Sequence, residues 1–337
     1  MIIDRRTFVL GSSAALGACV TPPAPDAPDF VEIWDPRAHA YFLSGARLEL
    51  LGSGYGWSEG PTWDWDRQAL YFSDVPGNIA YRWKRGEGVS TFLNPSGRGD
   101  AEGFREPGSN GLLYEGNGQL LICNHGERRV ERLDLSSGSR TGLAHQFGGR
   151  RFSSPNDVAK ARDGSLFFTD PPYGLAEGDA SPLKEQDANG VYRLGPDGSV
   201  QRLLSHLERP NGVGLSPDGR TLYVTQSLPE RPILQALTLS PNGAPSNVRT
   251  LTDFSPVMGE DDPGLPDGMT VAASGEILIG GPGGVLIVAP TGERLARIRC
   301  GSAAANCSFG EDGRTLFITA HDRLLRLEMN LQGLAPA

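Results

Sequence analysis

Ser154-Pro155-Asn156-Asp157, then Val158-Ala159-Lys160, a turn at Asp163-Gly164, and Leu166-Phe167-Phe168-Thr169 ending on Asp170-Pro171-Pro172-Tyr173-Gly174: this stretch holds the grammar of the 337-residue chain. An amide or acid comes first. A short β-type run follows, an Asp-Gly turn reverses the chain, and a second apolar run brings it back. Asp-Gly supplies the positive φ that a tight reversal needs, so such runs bounded by Gly, Asp and Pro read as β-hairpins.

The same order recurs along the sequence. Glu59-Gly60-Pro61 leads to Asp66-Arg67 and Leu70-Tyr71-Phe72, and Asn110-Gly111-Leu112 leads to Asn117-Gly118 and Leu120-Leu121-Ile122. Asn211-Gly212-Val213, Asp267-Gly268-Met269 and Asn306-Cys307-Ser308 each precede a Gly-containing turn and a second apolar run. Six copies at a period of roughly 40–55 residues fall in the range of propeller blades. The last copy is one strand short of four. Arg47-Leu48-Glu49-Leu50-Leu51 precedes the first copy and reads as a strand, so it is expected to complete the last blade and close the ring. The predicted fold is an all-β, six-bladed β-propeller with four-stranded blades over residues 45–330.

Bulk properties agree. Gly (45) and Pro (26) are abundant beside many β-branched and aromatic residues, which favours short strands and turns over disorder. No long stretch after residue 45 has helical apolar periodicity. A net charge of −9 argues against nucleic-acid binding, and Arg128-Arg129 and Arg150-Arg151 read as solvated pairs, not a basic stripe.

Residues 1–19 form a targeting segment. Asp4-Arg5-Arg6-Thr7-Phe8-Val9-Leu10 resembles a twin-arginine export signal, followed by a small-residue apolar run too short to span a bilayer. Leu16-Gly17-Ala18-Cys19 resembles a lipobox, which would place a lipid anchor on Cys19 and leave the protein periplasmic; an ordinary signal cleaved nearby is the other reading. Residues 20–44 read as a Pro-rich tether and a lead-in with a short helix or irregular structure. Cys123, Cys300 and Cys307 remain; Cys300 and Cys307 could pair, or all three are small buried apolar residues. No zinc-type spacing is present.

Two connections are long: Pro172–Asp187 inside the third blade, and Pro241–Pro266 between the fourth and fifth, with Glu260-Asp261-Asp262. Loops at one end of a scaffold often carry binding, although an acidic triplet equally reads as a solvated face. Gly280-Gly281-Pro282-Gly283-Gly284 lacks the Lys-Ser/Thr and helix of a phosphate loop and reads as a hairpin turn.

The first residue of each innermost strand lines one mouth of the central channel. Glu59, Asn110, Asn156, Asn211, Asp267 and Asn306 would converge there, all offering oxygen. Carboxylates and amides suit a hard divalent cation such as calcium. Asn and Asp are also common turn residues, a reading strongest for Asn306 and Asn110 and weak for Glu59.

Ser58-Glu59-Gly60-Pro61, Ser154-Pro155-Asn156-Asp157, Thr169-Asp170-Pro171-Pro172-Tyr173-Gly174, Asn211-Gly212-Val213 and Pro266-Asp267-Gly268-Met269 together resemble the senescence-marker-protein (regucalcin)/gluconolactonase family. Asn124-His125-Gly126-Glu127-Arg128-Arg129-Val130 and Gly281-Pro282-Gly283-Gly284-Val285 fit its bacterial gluconolactonase branch. The resemblance implies a six-bladed propeller, one divalent metal (usually calcium) and hydrolysis of a sugar lactone. It places the metal ligands on Glu59, Asn156, Asn211 and Asp267, with Asn156 also a substrate contact. Asp267 becomes the general base, a water activated by the ion being the rival. His125, Asp170, Tyr173 and Asn110 are the remaining expected substrate contacts; Asp170 could instead cap a turn. An esterase on aryl esters or organophosphates, or a non-enzymatic propeller that binds calcium and a sugar acid, would use the same oxygen ring.

Overall fold

The computed structural model describes residues 28–240 and 243–334. The targeting segment, Cys19 and most of the tether lie outside these residues. The described residues form six four-stranded antiparallel blades around a channel. Blade one is Ser58–Asp64, Ala69–Asp74, Ile79–Lys84 and Gly88–Leu93, and blade two is Ser109–Gly116, Gln119–Asn124, Arg129–Asp134 and Arg140–Ala144. Blade three is Val158–Lys160, Leu166–Asp170, Gly190–Leu194 and Val200–Leu204. Blade four is Pro210–Leu215, Thr221–Gln226, Ile233–Leu239 and Pro245–Asp253. Blade five is Met269–Val271, Ile277–Gly281, Gly284–Val288 and Arg294–Arg299. Blade six takes Asn306–Gly310, Thr315–Ala320 and Arg323–Glu328 from the C-terminal end and Glu49–Ser53 from the N-terminal end, closing the ring as expected.

Burial falls from channel to rim. All seven residues of Ser58–Asp64 are buried, whereas Gly88–Leu93 has no fully buried residue. The cores sit within and between blades. Trp63 of blade one stacks on Phe317 of blade six at 5.3 Å between ring centroids, so the closing junction has its own aromatic core. Removing such a ring typically costs about 3–5 kcal/mol.

Three regions differ from expectation. Within the lead-in, Val31–Ile33 pairs with Arg294–Arg299 and adds a fifth strand to blade five, and Ala38 and Phe42 are buried in the core of blades five and six. The short helix expected in the lead-in is present: Pro36–Tyr41 is a 3-10 helix, opened by Asp35 whose carboxylate accepts from Arg37 N at 2.9 Å. The connection expected over Pro241–Pro266 is shorter, because Pro245–Asp253 is the outer strand of blade four; its mostly exposed, polar face hides the strand pattern. Arg128 is not solvated: it is 3% exposed, its Nε donates to Phe152 O at 2.6 Å, and Glu185 pairs with it at 3.3 Å. Gly280–Gly284 is the expected hairpin turn, with Gly281 opposite Gly284. Cys123, Cys300 and Cys307 are all free and buried.

Candidate active site

The six oxygen-bearing residues do converge at the start of their inner strands or just before them; Glu59, Asn110, Asn156, Asn211 and Asn306 are buried, and Asp267 is half-buried with its Oδ1 turned inward. A glycine follows four of them: Gly60, Gly111, Gly212 and Gly268. These glycines let neighbouring inner strands approach closely. A Cβ on Gly212 would lie 2.3 Å from Asp267 O, and one on Gly60, which also has φ +51°, would lie 2.3 Å from Asn110 O.

Three amides form a directed relay. Asn110 Nδ2 donates to Asn156 Oδ1 at 2.9 Å, and Asn156 Nδ2 donates to Asn211 Oδ1 at 2.7 Å. Asn211 Nδ2 donates to Ser227 Oγ at 2.8 Å, and Ser227 donates to Pro266 O at 2.5 Å. The relay fixes which end of each amide is oxygen. A carbonyl oxygen has two lone pairs, so Asn156 and Asn211 each keep acceptor capacity. Asn110 is therefore part of the hub network. Asn306 lies outside this relay: it opens its strand, its Oδ1 accepts from the next amide, Cys307 N, at 2.8 Å, and its side chain also hydrogen-bonds Glu59.

The acids are less satisfied. Glu59 Oε2 accepts from Gly60 N at 2.8 Å, while Asp267 Oδ1 is buried with no hydrogen-bond partner. Burial pushes the Glu59 carboxyl up to about 8; the Gly60 amide opposes this and the Asp157 charge adds to it. Burial, then the charges of Glu59 and Asp157, hold Asp267 far above the usual carboxylate range. Asp157 fills the position that glycine takes in the four copies above. Its oxygens accept from Val158 N and Val213 N, each at 2.9 Å, bracing blade three to blade four, and burial raises it to about 7. The hub thus gathers three carboxyls whose charges oppose one another.

His125 and Tyr173 stand at the same mouth. Neither ring nitrogen of His125 has a hydrogen-bond partner, and burial pushes the imidazole down to about 4 against the neighbouring Asn156 side chain and Glu106 carbonyl. Tyr173 OH is also unpartnered; burial and then the Asp267 charge raise its pKa.

Asp170 is placed otherwise than a substrate contact would be. It is fully buried, and its two oxygens accept from Ser153 N at 2.9 Å and Ser154 N at 2.8 Å. Asp74 does the same for Gly56 N and Trp57 N, and Gln226 for Glu208 N. These side chains hold the turns that enter the inner strands. The hydroxyls one residue earlier hold the next blade's hub carbonyl: Ser73 donates to Asn110 O at 2.8 Å, Thr169 to Asn211 O at 2.5 Å, and Thr225 to Asp267 O at 2.8 Å. The sequence reading missed Asp157 and these hydroxyls. The signals were the single Gly-to-Asp exchange after a hub residue and the repeated Ser/Thr-Asp/Gln at the second strand's end. Arg150 and Arg151 lie on an exposed two-stranded ribbon with Gln146–Phe147.

The donor set fits a hard cation. It is all oxygen, gathers acids that face no cation among the described residues, and includes the unpartnered Asp267 Oδ1. Among the described residues no three His, Cys, Asp or Glu side chains cluster in a metal-holding arrangement; two of the four expected ligands are amides, and Asp157 spends its oxygens on Val158 N and Val213 N.

The fold and site together define a closed six-bladed propeller with an acid-and-amide hub at one channel mouth. The family model described as SMP-30/Gluconolactonase/LRE-like region matches residues 57–322, and the chain belongs to that family. It is 39% identical over 306 residues to a gluconolactonase of Zymomonas mobilis, covering 89% of this chain and 86% of that protein. An L-arabinolactonase of Azospirillum brasilense is 29% identical over 290 residues, covering 85% of each. Among solved structures, a gluconolactonase of Xanthomonas campestris matches with TM-score 0.76 and 33% identity over 92% of this chain and 98% of that one. A calcium-binding regucalcin of Agrobacterium tumefaciens shares the fold, with TM-score 0.69 and 18% identity over 86% and 96% of the two chains.

Proposed function

We propose that this protein is an exported lactone hydrolase that opens a sugar lactone, glucono-1,5-lactone or a close relative, at the hub. It works with one divalent metal ion, calcium in the first instance. The observation that carries this reading is the unpartnered Asp267 Oδ1 among buried oxygen donors. The gluconolactonase and arabinolactonase relatives support the substrate class. The calcium-binding regucalcin with the same fold supports the choice of ion.

Glu59, Asn156, Asn211 and Asp267 would hold the ion. When bound, it supplies positive charge against the buried acids and a Lewis acid for a carbonyl oxygen. The rest falls to the chain. The amide relay keeps the Asn156 and Asn211 oxygens oriented. Asp267 Oδ1 accepts a proton from the water that attacks the lactone carbon. The ring C–O bond then breaks, and the proton passes to the departing alkoxide, giving the open-chain hydroxy acid. His125 and Tyr173 offer hydrogen bonds to the sugar hydroxyls, as their unpartnered polar atoms allow. Asp170 and Asp157 act by holding turns and neighbouring blades.

Asp4–Leu10 and the lipobox-like Leu16–Cys19 support export in the folded state, with a periplasmic protein anchored through Cys19. The mass of the mature N-terminus tests this; an unmodified, uncleaved terminus contradicts it. The enzymatic test is lactone hydrolysis with calcium, with chelator and in Asp267→Ala, alongside a panel of aryl esters. Hydrolysis lost in both treatments supports the reading. Hydrolysis unchanged by both, or a strong preference for aryl esters, refutes it.

A further inference from the structure

The N-terminal strand meets the loop that delivers Asp267 through a charge cluster on blade five. Glu32 lies opposite Arg297 in the strand register. Glu32 Oε2 accepts from Arg297 Nε at 3.0 Å and Nη2 at 2.6 Å, and from Arg299 Nη2 at 2.9 Å. Asp262 pairs with the same two arginines, its Oδ2 2.9 Å from Arg297 Nη2 and its Oδ1 2.8 Å from Arg299 Nη1. Arg297 is 3% exposed, and its Nη1 donates to Val257 O at 3.3 Å, in the same loop as Asp262, and to Pro282 O at 3.4 Å. Trp34 lies 5.6 Å from its guanidinium.

Only four residues separate Asp262 from Asp267, and they are tightly held. Pro263 O accepts from Gly283 N at 2.9 Å, and Pro266 O accepts from Ser227 Oγ at 2.5 Å. Gly264 has φ +118°, and a Cβ there would meet Ala303 Cβ at 2.8 Å and Gly281 O at 2.9 Å. With so little slack, a shift of Asp262 is passed along the backbone to Asp267. Arg297 is buried between two acids from different segments, so losing one partner leaves its charge under-compensated.

We propose that Glu32, Arg297 and Asp262 are positioning residues for Asp267, making the N-terminal strand a working part of the hub and not a spacer. The catalytic side of this rests on Asp267 acting at the hub as proposed above. A matched control exists on blade six: Arg326 pairs with Glu49 at 2.9 Å and Glu311 at 2.8 Å, also fixing an edge strand. Glu311 follows Asn306–Gly310, at the end of that strand away from the hub.

The test compares Glu32→Ala with Glu49→Ala in the full-length chain, with Asp262→Asn as a second variant that leaves the strand pairing intact. Hydrogen exchange of the amides from Gly264 to Gly268 should quicken about tenfold in Glu32→Ala and Asp262→Asn and stay unchanged in Glu49→Ala. On glucono-1,5-lactone, kcat should fall in the first two with KM nearly constant, and Glu32→Gln should recover part of the loss. Exchange at the wild-type rate in Glu32→Ala and Asp262→Asn overturns the positioning role, as does an equal change in Glu49→Ala. A wild-type chain that hydrolyses no lactone would overturn the hub reading instead, and exchange would still decide the positioning role.

Discussion

Glu59 and Trp63 stand four residues apart on one inner strand, yet they face opposite ends of the channel. At the far end, Trp63, Tyr114, Leu215, Val271 and Phe309 help line a cavity of about 530 Å³. The charges there are matched: Lys160 lies 2.9 Å from Glu115, and Asp66 takes the Tyr114 hydroxyl. The hub end gathers like-signed carboxyls that face no cation among the described residues, and buried Asp267, His125 and Tyr173 atoms without a hydrogen-bond partner there. The same strands build both ends. The far end has unpartnered atoms too, Trp63 Nε1 and Ser308 Oγ, but they are neutral; like-signed acids gathered together, and not room, distinguish the end where chemistry is expected.

Substitutions at the two ends should therefore diverge. Asp267→Asn removes the proton acceptor and one charge, and kcat for lactone hydrolysis should fall about 10³-fold or more. An Asp267→Asn rate near wild type would remove the distinction between the ends. Glu59→Gln keeps the shape of the hub, and calcium affinity measured by calorimetry should fall about 100-fold.

Metal removal should couple hub stability to pH. Folded Asp157 and Glu59 titrate at about 7 and about 8. Unfolded carboxylates titrate near ~4, so across roughly pH 4–8 the folded state keeps protons that the unfolded state releases. The chelated chain should be most stable at the acid end of that window and lose stability as pH rises through it. Calcium should restore more stability at pH 8 than at pH 5. Melting curves with a flat or rising pH trend under chelator would contradict this.

Smaller effects sharpen the contrast. Tyr173→Phe should raise KM about tenfold at nearly constant kcat, the scale of one lost hydrogen bond. Trp65→Ala, at the far cavity, should leave kcat/KM within about twofold while lowering the melting temperature. A Trp65→Ala enzyme with strongly reduced kcat/KM but normal stability would show that the far end also takes substrate.

Much of this architecture was legible because each blade repeats its own instructions. The turn residues, the second-strand runs and the leading Glu, Asn or Asp recur, and the missing outer strand of blade six pointed to Glu49–Ser53. What repeats poorly was lost. Val31–Ile33 is three residues long and pairs with a strand far away in sequence, so no local pattern marks it. Asp262 looked like one of three solvated acids, and only the fold brings Arg297 and Arg299 within ion-pair distance of it. Asp170 read as pocket wall because Thr169-Asp170-Pro171 stands out in sequence. Ser73-Asp74 and Thr225-Gln226 show that the same slot holds turns in other blades. Asn110 and Asn306 carry the same side chain at equivalent positions, and only three-dimensional neighbours separate the amide that joins the relay from the one that turns to its own backbone and to Glu59.

The central claim is that the hub holds one divalent ion which the reaction needs. Calorimetric titration of calcium into the chelated full-length chain, run in parallel on Glu59→Gln, tests it most directly. One site per chain in the wild type, strongly weakened in Glu59→Gln, is the expected result. A wild type that binds no calcium, or a Glu59→Gln chain that binds it equally well, would contradict the account.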